Sequence, residues 1–478
     1  MKARQYAVTA IAIAICTTGV FALAGFLFRA SSVDLGWHWA LIDYIRANGH
    51  SPRGYSPVLR VMSDYPPATH MLGAVLAWIN GSTLVGMHLL ALFAIVIVYV
   101  CIACELPIVG SVIFGLGCLE LGRRRLLIGH EIVENYFFAQ LVATALAVVM
   151  LWVILRMRAR RWQALAAITA TLALGWAFPA TAAVFGVSFG VVALCRLIRI
   201  ARSGSFPSVR ELATLTGLAL ALAAAILASP YFLGMVSNAS HDGTMQSWAP
   251  PRLVALLGLA VLGVALWVGS EEDPQSLLIP ALAGGFGLIA FVQWLALLLG
   301  FGSPYAVLKL SFGVGTFGFA LAALLISTAG LPRLPISVWR PLMAAPILAA
   351  TFYAAHTVTP SRDLHGLRDY ARAVQEAADA FPDLRNATIS ANRDFDAAFN
   401  WSVSLIALAA EFGVGVDQLR AFGYDVKPDE RSQGAHMAAL PPEQASELPG
   451  DCRVHSTGSV AIVKLECANQ ITPIPPRY

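Results

Sequence analysis

The residues of this chain best suited to chemistry lie in a polar stretch that follows its first hydrophobic segment. The stretch begins Ser31-Ser32-Val33-Asp34-Leu35-Gly36-Trp37-His38-Trp39 and continues to Asp64-Tyr65-Pro66-Pro67-Ala68-Thr69-His70. From Asp34 to Asn48 apolar residues recur every three to four positions, which predicts a helix on the membrane surface with its tryptophans at headgroup depth. His38 lies one helical turn after Asp34, so a carboxylate and an imidazole share one face. Asp34 fits a general base, and it fits a helix cap equally well.

Tyr65-Pro66-Pro67 fixes an extended turn that leads His70 into the next apolar segment. Such a turn serves as a rigid return to the membrane, or it carries a ligand contact.

A second polar loop contains a cluster of charged residues close to apolar segments, where charges are costly and tend to be functional. Glu131 and Glu134 are three positions apart on a predicted helix, so both can face one cleft with His130 beside them. In the alternative interpretation these acids simply pair with neighbouring arginines. The remaining candidate residues of this loop are Arg123, Arg124, Arg125 and Asn135.

Lys309 is unusual because the chain has only four lysines among its 32 basic residues. It follows Tyr305 by one helical turn near the start of an apolar segment. A lysine there can hold a phosphate as a point charge, with the tyrosine stacking or hydrogen-bonding beside it, or it can simply snorkel to the interface.

Composition places these residues in a membrane protein. The chain has 478 residues, of which 58% are hydrophobic and 13% charged, and its mean hydropathy is +0.68, which is too apolar for soluble domains of this size. Apolar runs predict about eleven spans, and the basic N-terminus predicts a cytoplasmic start. The predicted spans are 5–28, 83–105, 106–122, 136–156, 163–179, 181–198, 211–232, 252–269, 277–300, 306–327 and 337–358. The arginines cluster at span ends, so nucleic acid is not an expected partner.

Residues 359–478 have a mixed composition and predict a small extracytoplasmic α/β domain after a transmembrane domain of residues 1–358. A strand is predicted at 387–391, a helix at 395–412 and a hairpin between Cys452 and Cys467. Because these are the only cysteines outside apolar runs, we expect them to form a disulfide in an oxidising compartment.

Together these features resemble the GT-C superfamily of integral-membrane glycosyltransferases. The resemblance lies in Asp34 just after the first span, the surface helix leading to Tyr65-Pro66-Pro67, the acids Glu131 and Glu134, and the pair Tyr305 and Lys309. The overall plan of spans plus an outer C-terminal domain is also similar. The first motif departs from the paired-acid form common in that superfamily, because Leu35 follows Asp34.

The resemblance implies an inverting transfer of sugar from a polyprenyl-phosphate carrier to a cell-envelope glycan or lipid acceptor. Asp34 would be the base, and Lys309 with one or more of Arg123, Arg124 and Arg125 would neutralise the leaving phosphate. No cofactor is required, while a divalent cation stays possible. Composition further suggests a bacterial inner membrane with the site on its periplasmic face.

The rival hypothesis is a multi-span transporter or lipid flippase. Transporters carry ionisable or broken positions at the midplane of their spans. Here the ionisable residues crowd the predicted outer ends, which favours the enzyme.

Overall fold

The structure, a computed structural model, describes ten stretches of the chain, and they are mainly helical. They comprise residues 33–54, 59–123, 127–134, 136–239, 250–271, 276–329, 389–391, 437–440, 442–456 and 461–468. The predicted spans at 5–28 and 337–358 and the predicted helix at 395–412 lie outside these residues.

The helices follow one another with short connections. Their bounds are α1 Val33–Asn48, α2 Ala68–Asn80, α3 Thr83–Glu105, α4 Ile108–Arg123, α5 His130–Glu134, α6 Phe138–Arg156, α7 Arg160–Ala177, α8 Pro179–Arg202, α9 Val209–Leu227, α10 Phe232–Ala239, α11 Pro251–Gly269, α12 Leu278–Leu298, α13 Pro304–Leu308 and α14 Ser311–Ala329. Helix starts carry the expected signals: Ser208 and Glu211 form a capping box at α9, and Pro179 occupies the first turn of α8.

Seven helical stretches among the described residues are long and apolar enough to cross a membrane, which supports a multi-pass membrane protein. They are Val85–Glu105, Phe138–Arg156, Pro179–Arg202, Val209–Leu227, Pro251–Gly269, Leu278–Leu298 and Pro304–Thr328, and each corresponds to a predicted span. Two further predicted spans are helices outside this set. The apolar part of α4, Ile108–Cys118, is shorter, and α7 begins with two arginines.

Helix α1 is present as predicted, but the prediction that its apolar face meets lipid headgroups is wrong for Trp39. That side chain is only 1% exposed, and Leu35 and Ile42 on the same face are also buried. The face packs onto α2, α3 and α6 instead. Periodicity shows that one face is apolar, but it does not show whether protein or lipid covers that face.

Helix α2 carries the exposed apolar stripe that was expected of α1. Val75, Trp78 and Ile79 are 50%, 67% and 77% exposed. With 13 residues, α2 is about 20 Å long and too short to cross a bilayer. Its composition is that of a helix lying in the membrane interface.

Helices α11 and α12 approach each other closely through glycine. A Cβ added at Gly258 would lie 2.7 Å from the carbonyl oxygen of Gly287, so the backbones would have to separate.

We expect Gly258→Ala to lower stability by about 1–3 kcal/mol through overpacking, seen as a lower thermal midpoint in detergent. Gly263→Ala on the same helix is the matched control, because nothing lies within 4 Å of its added Cβ, and alanine there should hold or slightly raise stability. Equal midpoints for the two variants would contradict this packing.

The described C-terminal residues form a four-stranded sheet of order β1-β2-β4-β3. The strands are β1 Ile389–Ala391, β2 Met437–Leu440, β3 Arg453–Ser456 and β4 Ala461–Lys464, with short helices Pro442–Ser446 (α15) and Leu465–Ala468 (α16). β1 and β2 are parallel, and the other two pairs are antiparallel. Strand β1 falls within the predicted 387–391, and β3 and β4 form the expected hairpin.

A disulfide joins Cys452 and Cys467, the two cysteines for which a bond was expected. Both are buried with Ala445, Leu448 and Val463 in a small core of their own. The bond therefore ties the end of the hairpin to the turn before it.

Candidate active site

Helix α1 places Asp34 and His38 one turn apart at its start. Asp34 is partly exposed, whereas His38 is 4% exposed. The buried apolar face formed by Leu35 and Trp39 fixes the rotation of α1, so the direction of both polar side chains is set by core packing.

The Tyr65-Pro66-Pro67 turn brings His70 against His38. The two ring planes are 27° apart with centroids at 5.0 Å, and the rings meet edge to edge, because Nδ1 of His38 lies 2.8 Å from Nε2 of His70. The Tyr65 ring stands edge-on to both, at 5.6 Å from His38 and 5.5 Å from His70. Phe138, in the first turn of α6, lies 5.7 Å from each imidazole. The rings of His38, Tyr65, His70 and Phe138 thus pack into one aromatic cluster.

Burial keeps both imidazoles neutral. It lowers the pKa of His38 well below its usual range, and the positive charge of Lys309 acts in the same direction. Burial also lowers the pKa of His70 from 6.5 to about 3, against an opposing hydrogen bond to Pro66. Neutral imidazoles donate or accept hydrogen bonds and do not hold an anion by charge.

Lys309 lies at a break between two helices. Helix α13 ends at Leu308 and α14 begins at Ser311, so the predicted single span 306–327 is interrupted near its start. The Lys309 carbonyl accepts a hydrogen bond from Gln140 Nε2 at 2.7 Å, which satisfies one group that the break leaves free. The ammonium lies over two rings, 4.5 Å from the Phe137 centroid and 4.3 Å from the Tyr305 centroid. These cation–π contacts hold the charge in place without neutralising it.

Asp34 and Lys309 share one electrostatic environment. Burial raises the pKa of Asp34 from 3.8 to about 6, and the positive charge of Lys309 partly opposes that rise. Burial, and then the charge of Asp34, raises the pKa of Tyr65 above its usual range. The structure therefore brings together what we call the Asp34 cluster, formed by Asp34, His38, Tyr65, His70, Tyr305 and Lys309. Its members come from three segments of the chain, namely α1, the turn that leads into α2 with the first turn of that helix, and α13 with the residue that follows it.

Glu131 lies on the short helix α5 next to His130. It is 2% exposed, and its Oε2 accepts a hydrogen bond from the Gly129 amide at 2.6 Å. Burial raises its pKa from 4.5 to about 7, while hydrogen bonds from its own amide and that of Gly129 lower it. Among the described contacts of Glu131, none is to the Asp34 cluster. That Glu131 and Glu134 face a common cleft stays a prediction, since the side chain of Glu134 lies outside the described residues.

Helix α5 nevertheless connects to the cluster through the backbone. The Phe137 amide donates to the Glu131 carbonyl at 3.3 Å, and the Phe137 ring lies under Lys309. His130 is buried, with Nδ1 2.9 Å from the carbonyl oxygen of Leu127. Hydrogen bonds of Glu131 and His130 thus hold the chain segment that leads to Phe137.

The other predicted residues of this loop lie beyond what the structure describes. These are Arg124, Arg125 and Asn135, together with the side chains of Arg123 and Glu134. Within the described residues no group of three His, Cys, Asp or Glu side chains could hold a metal ion.

Sequence reasoning missed the aromatic and amide residues that support Lys309. Phe137, Phe138 and Gln140 lie at the start of α6, within the predicted span 136–156, and the sequence analysis gave them no role. The run Tyr136-Phe137-Phe138 directly after a charged loop was the available signal, because aromatics concentrate where a span meets a polar surface.

No family model and no curated protein matches this chain. Among solved structures, the chain is similar to the crystal structure of ArnT from Cupriavidus metallidurans bound to undecaprenyl phosphate. The two share 13% sequence identity over 95% of this chain and 97% of that chain, with a TM-score of 0.42. At this TM-score the likeness is too weak to support an inference about fold or function.

Proposed function

We propose that this chain is an inverting glycosyltransferase that moves a sugar from a polyprenyl-phosphate carrier to a cell-envelope glycan or lipid acceptor. The observation that carries the proposal is the joint placement of Asp34 and Lys309: a carboxylate whose pKa is raised to about 6 stands in the field of a lysine set between two aromatic rings. A base and a fixed cation close together are what a transfer with a phosphate leaving group requires.

In the proposed reaction the acceptor hydroxyl oxygen attacks the anomeric carbon, and the bond from that carbon to the phosphate oxygen breaks. Asp34 takes the hydroxyl proton as the new bond forms. Lys309 neutralises the charge that develops on the departing polyprenyl phosphate, and Tyr305 shapes the same pocket wall. No covalent intermediate and no organic cofactor is part of this scheme. Whether a divalent cation is needed is tested by measuring sugar transfer with and without a chelator.

The position of the cluster supports a site on the outer face. Helix α6 begins beside His38 and His70 at Phe138, and about 28 Å away along its axis it ends at Arg156. Arg156 forms an ion pair with Glu105 and covers the Trp152 ring. Because arginine-rich ends favour the cytoplasm, the opposite end with Asp34 is placed outside in this proposal, at the periplasmic face of a bacterial inner membrane.

The transporter alternative makes different use of the same residues. A carrier would need its ionisable groups at midplane, whereas Lys309 lies only five residues after Pro304, which begins its candidate span.

The test uses the purified full chain in sealed liposomes that contain lipid extracted from source cells grown on radioactive sugars. The enzyme should release undecaprenyl phosphate and pass label to an acceptor, whereas a flippase would move lipid across the bilayer without cleaving it. Movement of lipid with no cleavage would overturn the proposal.

The same assay should show a pH dependence that reports Asp34. Since the base must be ionised, kcat/KM should rise about tenfold per pH unit at low pH and level off above a midpoint of about 6, the raised pKa of Asp34. If the residual activity of Asp34→Asn keeps the same midpoint, another group is the base.

A further inference from the structure

The pair of buried histidines has hydrogen-bond geometry that fixes where each proton lies. Nδ1 of His70 is 3.1 Å from the Pro66 carbonyl oxygen and 3.3 Å from the Thr69 hydroxyl. A carbonyl oxygen only accepts, so His70 carries its proton on Nδ1. In a neutral imidazole the other nitrogen, Nε2, is then an acceptor.

This assignment determines the tautomer of His38. Its Nδ1 lies 2.8 Å from the bare Nε2 of His70, so His38 must donate from Nδ1. The free electron pair of His38 is therefore on Nε2. Two linked hydrogen bonds, from His38 to His70 and from His70 to Pro66, hold the pair in this state.

No donor among the described residues contacts His38 Nε2, although the side chain is 96% buried by virtue of its 4% exposure. The nearby groups are the Tyr65, His70 and Phe138 rings, and Lys309 acts on His38 through its charge. His38 Nε2 is not among the fully buried polar atoms that lack a partner in the described residues, so this nitrogen reaches open space where a bound molecule can donate to it. Asp34, one turn earlier on the same helix face, presents further acceptor oxygens.

We propose that His38 is a substrate-contacting residue whose Nε2 accepts a hydrogen bond from a second hydroxyl or N–H group of the acceptor molecule, and that His70 is the positioning residue that fixes its tautomer. This rests on the proposed transferase function and deepens it. The acceptor would then carry at least two donor groups, one deprotonated by Asp34 and one bound by His38. A sugar or an amino alcohol has that chemistry, whereas a simple long-chain monoalcohol does not.

The tautomer is tested without any enzyme assay. The full chain is labelled with 15N-histidine in nanodiscs, and ring signals are assigned by their loss in His38→Gln and His70→Gln. We expect His38 to be neutral at pH 7 with the proton on Nδ1. In His70→Leu the acceptor is removed, so His38 should shift toward the Nε2-protonated form. In His70→Gln the amide can donate to Pro66 and accept from His38, so the wild-type tautomer of His38 should persist. A wild-type His38 protonated on Nε2 would overturn the proposal.

The substrate contact is tested by kinetics on the labelled acceptor fraction. Losing one hydrogen bond in His38→Leu should raise the acceptor KM about three- to tenfold with a smaller change in kcat. Binding of undecaprenyl phosphate should not change, because it lies on the Lys309 side. His70→Leu should raise the acceptor KM by the same factor. His70→Gln should keep the acceptor KM at its wild-type value. His50→Gln, on a partly buried histidine bonded to the Ser51 carbonyl, is the control.

The results distinguish a wrong role for His38 from a wrong proposed function. An unchanged acceptor KM with normal transfer would overturn the role of His38 alone. If kcat, carrier binding and the thermal midpoint all fall together with the rise of the acceptor KM, His38 has a structural role and the proposed contact is overturned as well. Absence of transfer by the wild-type chain would overturn the proposed function and the acceptor contact together.

Discussion

Asp34→Asn should lower sugar transfer by about 10²–10⁴-fold, the usual loss when a general base is removed. Asparagine keeps the size of the side chain and removes its basicity. Asp34 lies in the first turn of α1, where loss of its negative charge at the helix N-terminus costs only about 0.3–1 kcal/mol. Folding and binding of undecaprenyl phosphate should therefore be close to wild type, and the loss should appear in kcat.

This measurement distinguishes the two roles of Asp34, general base and helix cap, which the sequence supports equally. If Asp34 only caps α1, Asp34→Asn should keep normal turnover, and Asp34→Ala should cost about 1 kcal/mol of stability with activity retained in the folded fraction. The control is Asp64→Asn, an exposed carboxylate shortly before Tyr65. Near-normal turnover in Asp34→Asn would remove Asp34 from the role of base.

The sequence predicted the helices of the site better than their surroundings. The period of apolar residues located α1 correctly, but it assigned Trp39 to lipid, and the structure buries that side chain in protein. Hydrophobic contact is not directional, so a pattern along one helix carries no information on which partner covers it. The same limit explains α2, whose exposed Trp78 was not singled out.

Pairs close in sequence were predicted, whereas contacts between distant segments were not. His38 followed from its one-turn spacing after Asp34, but its contact with His70, 32 residues away, depends on how the proline turn packs. Lys309 was identified by its rarity, while Phe137 and the helix break beside it required the fold. Spacing also favoured Glu131 as a site residue. In the structure its carboxylate is buried and accepts a hydrogen bond from the Gly129 amide, a local contact that spacing alone did not predict.

Lys309→Met should weaken binding of undecaprenyl phosphate about tenfold or more, because it removes the cation expected to hold the phosphate. The ammonium already lies over the Phe137 and Tyr305 rings, so little order is lost when an anion binds. Methionine keeps the length and packing of the side chain. The Kd for undecaprenyl phosphate in detergent, measured on the purified chain, gives the effect directly.

Lys309→Arg distinguishes a phosphate contact from snorkelling. A planar guanidinium needs a different geometry from a compact ammonium held between two rings, so arginine should restore binding only in part. If Lys309 merely reaches for the membrane surface, arginine would substitute freely and methionine would cost little. Lys464→Met, on an exposed strand lysine, controls for the loss of one positive charge. Wild-type affinity in both Lys309 variants would exclude this lysine from the phosphate site and leave the aromatic pair around it without a role in carrier binding.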